Sequence, residues 1–355
     1  MESLEMNPAF WQNKKVLITG HTGFKGGWLV RMLVKLNAKV YGYALKPPTE
    51  PNFYTETKLQ EIMTHSTNGD IRDLKELSNA IKLAKPEIII HMAAQSLVRE
   101  SYISPVETFI TNVVGTVNLL QAARESNAVK VIVNITTDKC YENKEWIWPY
   151  RENDSLGGHD PYSASKACAE LVTTAYRNSF LAKAGVQVAS ARAGNVIGGG
   201  DWAIDRLIPD YLRALNSGEI LRIRSPNAIR PWQHVLEPLS GYILLAEKMY
   251  EHNEKFTEAW NFGPDEKDAK SVAWIIEKVG VHIPGVTWET EPMSQLHEAS
   301  ILKLDSSKAN KNLGWTPRWS VETALEKTTD WHKAWLKGED MAIYSNEQIS
   351  EFMFK

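Results

Sequence analysis

The segment Lys15-Val16-Leu17-Ile18-Thr19-Gly20-His21-Thr22-Gly23-Phe24-Lys25-Gly26-Gly27-Trp28-Leu29 restricts the folds open to this chain more than any other stretch. It reads as a buried strand, a glycine turn and the start of a helix, with glycines at Gly20, Gly23 and Gly26. Glycine lets backbone N–H groups come close to a ligand, and a helix N-terminus favours negative charge. Such a turn therefore suits the pyrophosphate of a dinucleotide. The strand–turn–helix context lifts the signal above a bare count of glycines. Gly20, His21, Gly23, Phe24 and Lys25 are the expected cofactor contacts of this turn. His21 and Lys25 are unusual, because many such turns carry small or apolar residues there. Their bulk is expected to hold the pyrophosphate off the backbone and weaken cofactor binding.

At 355 residues the chain can bury a large core, and two lobes or one large α/β unit are expected. A net charge of -3 gives no reason to expect nucleic-acid binding. The stretch Met1 to Lys15 lacks the apolar core of a signal peptide, and no apolar run approaches the ~20 residues of a membrane span. The two cysteines, Cys140 and Cys168, read as a reduced pair in a cytoplasmic protein without a disulfide. The 13 Trp residues are many for this length, and several in the second half are candidates to line a site or pack an interface.

Strand and helix signals alternate through the first half. Helical spacing runs over Trp28 to Leu36, Asp73 to Lys85, Ser104 to Ser126 and Pro161 to Lys183. Short apolar strands are predicted at Lys39 to Ala44, Glu87 to Met92, Val129 to Ile135 and Val186 to Ala191. This alternation predicts an α/β fold with a doubly wound parallel sheet covered on both faces. From Gly198 the texture changes to mixed short elements with frequent prolines. The expected division is a dinucleotide-binding domain over 12–197 with a return segment at about 235–263. A smaller α/β substrate lobe is expected over 198–234 and 264–338, then a charged tail of unsettled order over 339–355.

Ligands of such sheets bind at the carboxyl ends of the strands, where the chemistry-bearing residues fall. Tyr162 and Lys166 are four residues apart at the start of a predicted helix and so share one face. A nearby ammonium stabilises a phenolate and makes the tyrosine a base for an alcohol proton. The strand ending at Ile135 runs into Thr136-Thr137-Asp138-Lys139. Thr137 can hydrogen-bond a substrate hydroxyl. Asp138 and Lys139 set an acid beside a base, which simple hydride transfer does not need. Ala93, Ala94 and Gln95 follow another strand and would let a cofactor lie close to the backbone, whereas His91 reads as a packed strand residue. Asp70 and Ile71 end a further strand and could hold the adenine edge. Glu152 and Asp154 read as loop-capping acids. Arg206, Arg222, Arg224 and Arg230 are candidates for substrate phosphates because the guanidinium fork matches phosphate oxygens, with Arg230 favoured. No ligand spacing points to a metal.

Together these motifs resemble the extended short-chain dehydrogenase/reductase family, and within it the nucleotide-sugar 4,6-dehydratases. The likeness runs from the glycine turn through Asn195-Val196-Ile197-Gly198-Gly199-Gly200-Asp201-Trp202 to Asn261-Phe262-Gly263. The branch acting on CDP-glucose carries the same His and Lys in its glycine turn and the same Thr-Asp-Lys, where the dTDP-glucose branch reads Thr-Asp-Glu.

The resemblance implies a Rossmann-type fold, bound NAD and a CDP-glucose substrate, with Ser96 and Asn195 added to the substrate contacts. It implies a role in deoxysugar and O-antigen lipopolysaccharide biosynthesis. Tyr162 with Lys166 would take the C4 hydroxyl proton, Asp138 would protonate the departing C6 hydroxyl, and Lys139 would be the C5 base or order a water that is. An acidic residue at the end of the second strand is missing, since the chain reads Tyr43-Ala44-Leu45-Lys46 there, and Lys46 could meet a 2′-phosphate. A homodimer or homotetramer is expected through the helices near Ser104 and Pro161. Another nucleotide sugar as substrate, a 4-epimerase, and a non-catalytic relative are the competing readings. An epimerase has no use for Asp138-Lys139, and a non-catalytic relative has none for Tyr162/Lys166.

Overall fold

In the computed structural model, which describes residues 6–291 and 299–354, alternate residues of the apolar strands enter two separate cores. Val16 and Ile18, Ile88 and Ile90, and Val131 and Val133 face one side, while Leu17, Ile89 and Ile132 face the other. This two-residue period, apolar on both faces, is that of a sheet covered by helices on each side. The strands are β1 (Lys15–Thr19), β2 (Lys39–Ala44), β3 (His65–Asn68), β4 (Ile88–His91), β5 (Val131–Ile135) and β6 (Gln187–Ala193). The rest of the chain supplies β7 (Asn195–Ile197), β8 (Leu221–Ile223), β9 (Ile229–His234), β10 (Ala259–Phe262), which returns to the main sheet, β11 (Ala269–Ser271) and β12 (Trp288–Thr290).

The main sheet has the order β10-β6-β5-β4-β1-β2-β3, and every pairing in it is parallel. Strand order reverses between β1 and β4, so the crevice for a ligand opens at their carboxyl ends. One face is covered by α1 (Phe24–Lys35), the other by α2 (Leu74–Ala84) and α3. Helix α3 runs Pro105–Phe109, passes through a π-turn at Ile110–Val114 and continues as Gly115–Arg124. Helix α4 (Pro161–Tyr176) starts on an Asp160 cap that accepts from the Ser163 amide, with proline in its first turn.

The smaller half has a β7-β9-β11 sheet and a β8–β12 pair, packed with α5 (Leu207–Ser217), α7 (Val272–His282) and α8 (Val321–Leu336). Two elements depart from the sequence reading. Helix α6 (Leu236–His252) is long and buried nearly all round, where mixed short elements were expected. An all-round apolar helix carries little periodic signal. The segment after Gly338, expected as a tail of unsettled order, forms α9 (Met341–Phe354). Its Ile349, Phe352 and Met353 enter the first core, and Arg31 donates to Ala342 O at 3.1 Å and Asn346 Oδ1 at 3.0 Å.

Candidate active site

The glycine turn leaves β1 at Gly20, which has φ +78° and where a Cβ would lie 2.8 Å from the Ala93 amide nitrogen beyond β4. At Gly26 a Cβ would meet the Gly20 carbonyl oxygen at 2.2 Å. Only glycine permits this close turn against the strand ends, and the resulting cradle fits a dinucleotide pyrophosphate. The turn opens a cleft of about 1000 Å³ along the carboxyl ends of the sheet, walled by both halves.

The two unusual residues of the turn do not act as expected. The His21 imidazole turns away from the cleft and fills the space over Gly42, with Nε2 2.7 Å from Ser66 Oγ and its ring edge-on to Tyr54. Burial pushes its pKa down to about 4, so it is neutral at pH 7. The imidazole is therefore not placed to hold a pyrophosphate off the backbone, because glycine at position 42 makes room for the ring against the sheet. Lys25 enters the cleft, but Nζ donates to the Tyr242 hydroxyl at 3.4 Å. Burial pushes Lys25 down to about 7, Arg206 and Lys166 push the same way, and Asp138 opposes them. Its head therefore stands among the catalytic candidates.

At the end of β5, Thr137 Oγ1 donates to Asp138 Oδ1 at 3.0 Å, and Lys139 Nζ lies 3.7 Å from the same oxygen. Thr137 and Lys139 line the cleft. Asp138 is wholly buried one layer behind its wall, where Oδ2 has no hydrogen-bond partner. A Cβ at Gly194 would stand 3.0 Å from Oδ2, so glycine keeps the carboxylate close to the cleft.

Tyr162 and Lys166 project into the same cleft from α4. Lys166 Nζ donates to Ile135 O at 3.1 Å, and burial lowers its pKa to about 8 against the opposing charge of Glu170. Burial also dominates at Tyr162 and pushes the phenol up to about 12, although the Thr137 hydroxyl and the Arg206 guanidinium pull it down. The lowering expected from Lys166 is exerted instead by Thr137 and Arg206.

A model of the family described as GDP-mannose 4,6 dehydratase matches residues 17–328. A CDP-glucose 4,6-dehydratase of Salmonella typhimurium is 54% identical over 350 residues, covering 97% of each chain. The chain belongs to the nucleotide-sugar 4,6-dehydratase family. A second family member, the dTDP-glucose 4,6-dehydratase of the same organism, is 25% identical over 94% of this chain and 97% of its own. Among solved structures, a dTDP-glucose 4,6-dehydratase from Streptomyces venezuelae superposes with a TM-score of 0.79 at 24% identity, covering 91% of this chain and 98% of that one. A UDP-glucose 4-epimerase from Thermotoga maritima gives 0.77 at 20%, over 90% and 99%. Both share the doubly wound fold predicted from the strand–helix alternation.

Within this dehydratase fold, the remaining candidates divide by where their polar atoms go. Gly20, Gly23, Phe24, Ala93, Ala94, Asp70 and Ile71 line the cleft. The Asp70 carboxylate is engaged by Arg72, which holds its pKa below the usual range, and Tyr43 OH donates to Asp70 O at 2.9 Å. Gln95 also lines the cleft, but its amide folds back onto Leu97 O and Thr108 Oγ1, and its backbone N–H and carbonyl are both held by the Asn112 side chain.

On the substrate side, Ser96 accepts from Arg206 Nη2 at 3.2 Å, and Arg206 also pairs with Asp201 at 2.8 Å. Asn195 lines the cleft with a buried Oδ1 that has no partner. Arg222 lines the cleft at its rim, strongly exposed, with Nε 3.4 Å from Glu289. Arg230 also lines the cleft; it is buried and donates to Ile229 O at 2.9 Å and to Ala299 O. His91 is the packed strand residue expected, 2.7 Å from Thr19 Oγ1. Among the described residues no group of side chains could hold a metal ion.

Sequence reasoning missed three groups. Tyr242 comes from the unrecognised α6 and had no local signal. Arg99, which pairs with Asp205 at 2.9 Å across the cleft mouth, reads as an ordinary surface charge. Glu170 follows Lys166 by one more helical step on the face that carries Tyr162, a spacing that could have singled it out.

Proposed function

We propose that this chain dehydrates CDP-glucose to CDP-4-keto-6-deoxyglucose and water, using tightly held NAD, as a step of deoxysugar biosynthesis. The observation that carries this is one cleft lined by an alcohol-oxidation pair, Tyr162 and Lys166, and by Lys139 of an elimination pair, whose partner Asp138 stands directly behind the wall with Oδ1 3.7 Å from Lys139 Nζ. The CDP-glucose 4,6-dehydratase relative at 54% identity supports the choice of nucleotide, and the Streptomyces venezuelae dehydratase structure, solved with NAD bound, supports the choice of cofactor.

When bound in the glycine turn, NAD would supply a reversible hydride acceptor, taking hydride from C4 and giving it back at C6 once water is lost and a proton is returned to C5, so that the product is the 6-deoxy sugar and the cofactor is restored. Thr137 holds the C4 oxygen and Tyr162 takes its proton, assisted by the Lys166 ammonium. The ketone at C4 acidifies the C5 proton. Lys139 removes that proton, either directly or through a water it orders. Asp138 gives a proton to the C6 hydroxyl as it leaves as water. Arg206, with Ser96 and Asn195 beside it, holds the sugar and diphosphate. Lys25 and Tyr242 close the floor under the reacting carbons.

The protein works in the cytoplasm as a homodimer or homotetramer. No helix of the described residues is long and apolar enough to cross a membrane. Ile103, Val106, Val114 and Leu171 are exposed along the neighbouring helices α3 and α4 and the turn before α3. Such an apolar strip fits a second copy of the chain.

The test offers the purified protein CDP-, dTDP- and UDP-glucose and GDP-mannose with NAD⁺ and follows loss of one water by mass. Water loss fastest from CDP-glucose is expected. Preference for another nucleotide sugar overturns the substrate, and C4 inversion without water loss overturns the reaction.

A further inference from the structure

Beneath the cleft, Glu170 and Arg192 form a buried ion pair, with Arg192 Nε 2.9 Å from Oε1 and Nη2 2.9 Å from Oε2. Both side chains are almost fully buried. The two-pronged fork fixes orientation as well as charge. Glu170 also accepts from Thr136 Oγ1 and Ser190 Oγ. Arg192 donates its remaining nitrogen to the Tyr141 hydroxyl at 2.8 Å and to Glu152 O at 3.1 Å. Tyr141 passes the link on to Asn261 Oδ1 at 2.7 Å, on β10.

These partners are placed with respect to the chemistry. Thr136 immediately precedes Thr137-Asp138-Lys139, and Tyr141 follows that segment after Cys140. Glu170 itself belongs to α4, on the face that carries Tyr162 and Lys166. Both ends of the elimination segment are therefore tied through one ion pair to the helix of the oxidation pair. Burial pushes the Glu170 carboxyl up, but Arg192 and the two hydroxyls outweigh it and keep the group ionised.

We infer that the Glu170–Arg192 pair is a positioning device of the reaction, holding Asp138 and Lys139 in register with Tyr162 and Lys166 so that the sugar oxidised at C4 loses water before it can leave. The inference rests on the proposed dehydration. Neither residue reaches the cleft, so their effect passes through the groups they hold. Displacements on the order of 1 Å cost about 10²-fold in rate when they disturb aligned groups. Oxidation and elimination use different groups, so a slipped register changes their ratio and not only their sum.

The experiment uses the full-length protein as Glu170→Gln, Glu170→Asp and the double variant Glu170→Leu/Arg192→Met. The double variant removes both charges, a change that buried pairs often tolerate. In single turnovers with NAD⁺ and a nucleotide sugar that the wild type accepts, three quantities are read: NADH formed, water lost by mass, and deuterium taken up at C5 from heavy water. Thermal unfolding reports folding separately. The expected result for Glu170→Gln is at least tenfold less water lost per NADH formed, with deuterium uptake falling alongside. Glu170→Asp is expected to recover most of the wild-type ratio. If Glu170→Gln does not fold, the double variant decides, and the same fall in ratio is expected. A folded variant that loses water and NADH formation in equal proportion overturns the inference, as does failure of both variants to fold. A wrong substrate shows up in the wild type alone, as no water lost from CDP-glucose.

Discussion

Lys25 Nζ lies 3.4 Å from the Tyr242 hydroxyl, so the odd lysine of the glycine turn ends on the floor of the reaction site. Its pKa of about 7 in the fold compares with an ordinary 10.5. Between these values the folded protein binds fewer protons than the unfolded chain. The cost of this lysine is therefore complete below pH 7 and fades as pH rises toward 10.5. Lys25→Met should raise the unfolding temperature at pH 6, by about 1–2 °C for each kcal/mol recovered in a chain of this length. The gain should shrink by pH 9.5. Paired melting curves at the two pH values check this, and an equal gain at both would refute a depressed Lys25.

Lys166 imposes the alkaline limit on turnover. Burial holds it at about 8, and only its ammonium form supports the Tyr162 phenolate. Turnover should fall as pH rises through about 8, and the same limb should persist in Lys25→Met. A limb that vanishes in that variant would belong to Lys25. Tyr162→Phe should lower NADH formation by about 10²–10⁴-fold at every pH, the usual contribution of a positioned acid–base group.

The parts of this molecule that could be read in advance are those with a local signature. The strands show unbroken apolar runs, and Gly20 and Gly26 mark a turn no other residue can make. Tyr162 and Lys166 declare a shared helix face by spacing alone. What escaped was set by long-range packing. Helix α6 has no polar stripe because it is enclosed on all sides, and Tyr242 went unseen with it. The α9 segment looked like a charged tail until Arg31 and the first core gave it partners. The direction of the His21 ring depends on the absence of a side chain at Gly42, on another strand. Arg222 and Arg230 line the cleft, but the partners that hold them there, Glu289 and Ala299, are far off in sequence.

The exposed apolar strip of α3 and α4 makes a separate prediction about assembly. Val106 and Leu171 stand clear of the protein's own cores, so a charge at either leaves the fold intact. The double variant Val106→Glu/Leu171→Glu should run as a monomer by light scattering under conditions where the wild type is at least a dimer. Its unfolding temperature at low concentration should stay within a few degrees of the wild type. An unchanged mass would move the interface elsewhere.

Asp138 Oδ1 lies 3.0 Å from the Thr137 hydroxyl and 3.7 Å from the Lys139 head, yet the proposed roles separate the acid from the base cleanly. The C5 proton must leave before or as the C6 hydroxyl departs, and each event can be watched alone. Loss of the acid leaves the base able to exchange C5 with solvent, whereas loss of the base stops both. Asp138→Asn should therefore keep deuterium uptake at C5 while water loss drops by about 10²–10⁴-fold. Lys139→Ala should lose exchange and water together, with NADH still formed from the intact Tyr162–Lys166 pair. Undiminished water loss in Lys139→Ala would remove it as the base, and exchange lost in Asp138→Asn would hand that role to the aspartate.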